Sequence, residues 1–241
     1  MNEVIKSLFS RKSVRSFEDR PIPAEDKLLI LNAAAQAPTA GNQQLYTILD
    51  ITDQELKDRL AVTCDNQPFI AKAPLVLIFC ADFQKWYDAF LETGASPRKP
   101  ASGDLLLAVD DALIAAQNAV TAAWSLGIGS CYIGDIMEQC RVHRELLALP
   151  DYVFPAAMAV FGYPTAQQME RPKPERCPLS SIVHENTYHS LHGEELYNTF
   201  KGRFGQKGYE DWCRAFCQRK YNSDFSIEMS SSVEEYLKSW L

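Results

Sequence analysis

The chain has 241 residues, 46% hydrophobic and 23% charged, which is ordinary globular composition and enough length to bury a full core without staples. Its 31 acidic and 24 basic residues leave a net charge of −7, which argues against nucleic acid or an anionic membrane as the main partner, since both call for basic surface. Seven scattered cysteines, no apolar leader in MNEVIKSLFSRKSVRSF, and apolar stretches that charges interrupt short of the roughly 20 residues that span a bilayer point to free thiols in a reducing cytoplasm.

In chain order, residues 2–9 read as a short helix with Val4, Ile5, Leu8 and Phe9 as its apolar stripe. The basic segment SRKSVRSF follows, and Pro21 and Pro23 mark a turn. Glu25 and Asp26 suit the positive end of the next helix, which must stop near Pro38 because proline disfavours helical geometry in the residue before it. PTAGNQQ has loop chemistry and YTILDIT reads as a strand. DQELKDRLAV is a helix, and LVLIFCADF is an apolar run of strand length, expected to be buried on both faces. After a loop at 94–103 comes a long alanine-rich helix, apolar over most of its circumference and closed by Gly127. Such a helix suits the centre of a dimer. GSCYIG is a short strand or turn, MEQCRVHRELLAL a helix, and FPAAMAVFGY a buried strand. Residues 164–181 form extended surface chain, and helical pieces are expected near 193–203, 208–220 and 232–240. Helices dominate over strands, so the expected class is α+β.

Four segments carry chemistry. Arg11, Lys12, Ser13 and Arg15 place four phosphate-binding groups within five residues, and guanidinium groups meet a phosphate monoester with paired, charge-assisted hydrogen bonds. A solvated basic patch after a helix is the bland alternative. In PTAGNQQ, Gly41 permits close backbone approach, while Asn42, Gln43 and Gln44 offer donors and acceptors to a heterocycle with an amide edge. GIGSCYIG is not a dinucleotide fingerprint: Tyr132 stands where the third glycine belongs, and the segment follows a helix. A turn that lets backbone approach a flat ring is still compatible with it. Finally, RPKPERCPLSSIVHENTY carries Lys173 and Arg176 on proline-stiffened chain. His184, His189 and His192 lack a recognised metal-ligand spacing. Neither GxSxG nor a Walker loop is present.

In this order and spacing, SRKSVRSF, APTAGNQQ, LGIGSCYIG and KPERCPLSSIVHENTY resemble the nitroreductase family of FMN enzymes, and within it the oxygen-insensitive NADPH nitroreductase and flavin reductase branch. The resemblance covers roughly residues 1–190. It implies an α+β sandwich with a mixed central sheet flanked by helices, an FMN-binding domain over 1–190, and a helical C-terminal extension over 191–241. It also implies a homodimer with two flavins in the interface, each touched by both subunits. Carried over residue by residue, Arg11, Lys12, Ser13 and Arg15 bind the FMN phosphate and ribityl chain. Arg176, with Lys173, meets the same phosphate. Tyr132, Ile133 and Gly134 lie along the isoalloxazine ring, Thr39, Ala40, Gly41 and Asn42 approach from the other subunit, and Asn66 or Gln67 stands near the ring's polar edge. Two departures stand out: KPER has one residue more between lysine and arginine than that branch's KPR, and Asp135 replaces a second glycine. The activity implied is hydride transfer from NAD(P)H through flavin to nitroaromatic, quinone or flavin acceptors. The rivals are a non-catalytic FMN storage or sensing protein and a metal-dependent hydrolase using the three histidines.

Overall fold

A computed structural model describes residues 1–241. From the N-terminus the elements are α1 (Glu3–Ser10), α2 (Ala24–Ala35), β1 (Tyr46–Asp50), α3 (Gln54–Thr63), α4 (Pro68–Lys72), β2 (Leu75–Asp82) and α5 (Gln84–Glu92). Then come α6 (Ser102–Ser125), β3 (Gly129–Ile133), α7 (Cys140–Leu146), β4 (Val153–Gly162) and α8 (Ala166–Glu170). The chain closes with α9 (Glu194–Phe204), α10 (Tyr209–Lys220) and α11 (Asp224–Leu237). It forms two compact units, Met1–Arg171 with Glu228–Leu241, and Pro172–Ile227. The sequence suggested a division at residue 190; here the second unit begins at Pro172, and residues 228–241 belong with the first.

The two longest apolar runs become the central strands. Strand order is β1-β2-β4-β3, and every position of β2 and β4 is buried. Side chains alternate across a strand. Leu75, Leu77, Phe79 and Ala81 therefore join the core beneath α2 and α6, while Val76, Ile78 and Cys80 join Leu60, Ile70, Met158 and Val160 on the other face. All three strand pairs are antiparallel. The expected mixed sheet is thus corrected within this chain: intervening helices return β1 to β2, and β3 to β4, at the end of the sheet they left. The one parallel pairing is an isolated bridge between Ser13 and Ser130. Pro155 has no N–H to give the ladder, and the β2–β4 register shifts opposite it, between Phe79 and Cys80.

α6 is two-faced. Leu105, Ala108, Ala112, Ala115, Ala116, Ala119, Val120 and Ala123 recur at helical spacing and pack on the sheet, their small size letting the helix sit close. The opposite face exposes Leu106, Leu107, Leu113 and Ile114. The helix ends as its sequence dictates: Gly127 takes φ +75°, its N–H donates to Trp124 O, and Ile128 N–H donates to Ala123 O at 2.9 Å, a Schellman closure. In the first unit, residues 228–241 are anchored by Tyr236 and Trp240, both buried, with Tyr236 edge-on to Phe154 and Trp240 edge-on to Tyr152. The second unit gathers Tyr197, Phe204, Tyr209, Trp212 and Phe216 between α9 and α10.

Candidate functional site

The basic segment after α1 is laid as extended chain beside β3. Its Ser13 bridges Ser130 and Phe17 bridges Pro164, and Val14 N–H donates to Ser130 O at 2.9 Å. Two glycines make this approach possible. A Cβ on Gly129 would fall 2.6 Å from Val14 Cγ2, and one on Gly162 would fall 2.7 Å from the Phe17 ring. Alternation then sorts the basic residues. Lys12 and Val14 turn inward and are buried, whereas Arg11, Ser13 and Arg15 project on the other side. There Arg11, Ser13 and Arg15 lie against Cys131, and Arg11 also acts on Tyr132: burial pushes both β3 side chains up, Tyr132 to about 12, and the guanidinium charges pull the other way. Arg171 braces the segment by donating to Ser13 O at 2.8 Å.

Lys12 does not join that group. Its ammonium donates to the carbonyls of Met169, at 2.6 Å, and Arg171, and the side chain is buried on the inner side. The structure gives it a structural task that its position in the motif did not reveal.

Tyr132, Ile133 and Gly134 line a cleft of ≈ 340 Å³ together with Ala157 and, from the exposed face of α6, Leu113 and Gln117. Its lining is almost wholly apolar, as a flat aromatic ligand requires. At the far end of β3, Gln67 Nε2 donates to Asp135 Oδ2 at 3.0 Å and to Cys64 O at 2.8 Å. Both partners are acceptors, so the amide orientation is fixed and both of its hydrogens are spent; only the carbonyl oxygen is left for a ligand N–H. Asn66 is exposed on the same turn with φ +50°. Of the two alternatives, Gln67 is the residue tied to the cleft's terminus.

The loop Thr39–Asn42 hangs on a residue the sequence reading passed over. Asp111 of α6 is 3% exposed and accepts from the Thr39 hydroxyl, from Ala40 N–H at 2.9 Å and from Leu45 N–H at 3.0 Å. Thr39 Oγ1 also accepts from Gln44 N–H at 2.8 Å, so its hydroxyl is engaged within the loop. Gly41 and Asn42 both take φ +56°, a left-handed turn suited to glycine and tolerated by asparagine, and both are exposed. Asp111 was legible in principle: it falls in phase with Ala108, Ala112 and Ala115 on a face whose buried positions are apolar apart from Asp111 itself and Asp104 in the first turn.

Lys173, half-buried, and Arg176, exposed, stand in the second unit on the chain preceding the turn Leu179–Ser181. In the same unit His189 N–H donates to His184 Nδ1 at 3.0 Å and His189 Nε2 pairs with Glu195 at 3.2 Å. These histidines bond locally, and no group of three or more His, Cys, Asp or Glu side chains is set to hold a metal ion.

Residues 8–163 match the nitroreductase family, and the chain belongs to that family. The FMN reductase [NAD(P)H] of Bacillus subtilis is 32% identical over 238 residues, covering 98% of this chain and 91% of the relative. The oxygen-insensitive NADPH nitroreductase of Salmonella typhimurium is 34% identical over 191 residues, covering 79% and 77%. Among solved structures, the NfrA1 nitroreductase of B. subtilis superposes with a TM-score of 0.83 at 27% identity, covering 97% of this chain and 98% of that one.

Proposed function

We propose that the chain is an FMN-dependent NAD(P)H oxidoreductase working as a homodimer. The observation that carries this reading is the row Arg11, Ser13 and Arg15, set on one side of an extended segment beside the β3 residues Tyr132, Ile133 and Gly134, which line the apolar cleft. The residues fit the cofactor: two guanidinium groups and a hydroxyl suit a phosphate monoester, the cleft suits a tricyclic ring, and Gln67 offers an acceptor to a ring N–H. Kinship to proteins named FMN reductase and NADPH nitroreductase supports the same reaction class.

When bound, the flavin would supply the redox chemistry, carrying reducing equivalents from NAD(P)H to a nitroaromatic, quinone or flavin acceptor in a ping-pong cycle. The chain's own residues bind and orient. Arg11, Ser13 and Arg15 hold the phosphate and ribityl chain, and Tyr132, Ile133 and Gly134 give the ring its floor. Arg176, with Lys173, is assigned to the same phosphate on the family resemblance. The loop Thr39–Asn42, held by Asp111, approaches the other subunit's cofactor. No acid–base pair is invoked.

Dimerisation is supported by apolar surface that one chain leaves uncovered. Leu106, Leu107, Leu113 and Ile114 on α6 are exposed beside Val4, Leu8 and Phe9 of α1 and Leu28 and Leu29 of α2, and α1 and α2 both pack on α6. That surface borders the cleft through Leu113. Seven unpaired cysteines fit a reducing, cytoplasmic setting.

Anaerobic addition of NADPH or NADH to the purified yellow protein tests the activity. Bleaching, reversed by a quinone, is expected. Bound flavin that does not bleach makes the protein a storage or sensing one, and a colourless protein contradicts the reading altogether.

A further inference from the structure

Glu138, in the turn between β3 and α7, is 5% exposed, and its Oε1 has no hydrogen-bond partner. A buried carboxylate oxygen without a donor is costly, and more so when the group is charged. Every charged neighbour makes it worse. Asp135 lies in side-chain contact on the preceding turn, Asp65 faces it from the turn before α4, and Glu228 faces it from α11. Glu228 is committed elsewhere: it accepts from Gln139 N–H at 3.0 Å and from Ser232 Oγ at 2.6 Å. His143 of α7 brings no positive charge, because burial lowers its pKa, and its Nδ1 lies 2.9 Å from Ile136 O. A proton on Glu138 resolves the arrangement, turning a repelling pair of carboxyls into a donor and an acceptor.

We infer that Glu138 is a positioning residue for the cleft: it keeps its carboxyl proton, donates it to Asp135, and through Asp135 holds the Gln67 amide in the orientation that presents its oxygen to a ligand. The chain of contacts is continuous, from Glu138 to Asp135, from Asp135 Oδ2 to Gln67 Nε2 at 3.0 Å, and from Asp135 along the backbone to Gly134 in the cleft wall. This inference rests on the cofactor reading and adds a pH dependence to it. Burial, then Asp135, Glu228 and Asp65, push Glu138 up to about 7. The sign follows. The folded chain holds this proton where the unfolded chain has lost it, so the stability it confers is whole below about pH 4.5 and lost as pH rises through about 7. Ligand affinity, which depends on the protonated folded form, falls above about pH 7.

The test uses the holoprotein and reads FMN release by the return of free-flavin fluorescence, across pH, for the wild type, Glu138→Gln and Asp135→Asn. In the wild type the dissociation constant is expected to rise about tenfold between roughly pH 6.5 and 8.5. Glu138→Gln, which donates without titrating, should bind as the wild type does at low pH and stay flat. Asp135→Asn gives Glu138 an amide donor and should move the wild-type step to lower pH. A flat wild-type profile, or equal slopes in wild type and Glu138→Gln, overturns the inference. If no variant carries FMN, the cofactor reading fails, and thermal unfolding of the same proteins still decides the role of the carboxyl. The wild type should lose stability relative to Glu138→Gln as pH rises from about 4.5 to 7 and run parallel above it; parallel curves throughout contradict it.

Discussion

Single buried polar groups decide how this chain presents its candidate binding residues. Asp111 ties two backbone N–H groups and a hydroxyl of the Thr39–Leu45 loop to α6, so Asp111→Ala leaves them unpaired in the interior. A loss of about 3–5 kcal/mol is expected in urea unfolding, and a loss below about 1 kcal/mol would mean the loop finds other partners. His143 makes the matching prediction on the acid side. It is fully buried, with Nε2 2.8 Å from Thr63 Oγ1, and burial lowers its pKa. A lowered histidine stabilises the fold above its unfolded value and loses that contribution as pH falls below about 6.5. His143→Gln should flatten the wild-type fall in stability below about pH 6.5, and an unchanged slope assigns that fall to other groups. Lys12 marks the limit of residue-level reading. It stands in a run of phosphate-binding residue types, yet the alternation of an extended segment turns it inward to two carbonyls while Arg11 and Arg15 face out. Sequence spacing held that information only once the segment was known to be extended.

At the scale of elements, periodicity carried most of the fold. The alanine face of α6, the unbroken apolar runs of β2 and β4, and Gly127 as a helix stop were all legible, because each rests on a short-range rule. The pairing was not: antiparallel order and the β-bulge opposite Pro155 depend on which strands meet. α5 was also missed; its QKWYDAFLE lies half-buried and gives a weaker core signal than its neighbours. The glycines at the strand ends lead to a sharper prediction. Gly129→Ala would push a methyl into Val14 and lift the Arg11–Arg15 segment from β3. Overpacking of this kind costs about 1–3 kcal/mol, and FMN retention should fall at least as much as stability does. Flavin occupancy unchanged in a folded Gly129→Ala protein would detach that segment from the cofactor. Trp240→Ala should cost about 3 kcal/mol, since the ring is 1% exposed and packs on Tyr152. A negligible cost would mean that residues 228–241 dock loosely.

For the whole molecule, α1, α2 and α6 expose apolar side chains that the proposed homodimer would cover. Leu113→Asp with Ile114→Asp is expected to give monomers in sedimentation, with weakened flavin retention because Leu113 also lines the cleft. Dimers that persist would place the interface elsewhere. For the candidate site, residue type alone singled out Arg11, Arg15 and Tyr132, and the fold sets the segment carrying the two arginines beside the strand carrying the tyrosine. Glu138 was not legible, because the groups that act on it come from distant segments: Asp65 from the turn between α3 and α4, and Glu228 from α11. The central claim is that Arg11, Ser13 and Arg15 beside β3 anchor the cofactor phosphate. Flavin bound per chain, measured on wild type and Arg15→Ala purified side by side with matched circular dichroism, tests it most directly. Losing one charge-assisted contact set should weaken binding by about ten- to a hundredfold and leave the variant largely colourless. Equal flavin content in the two proteins would contradict the account.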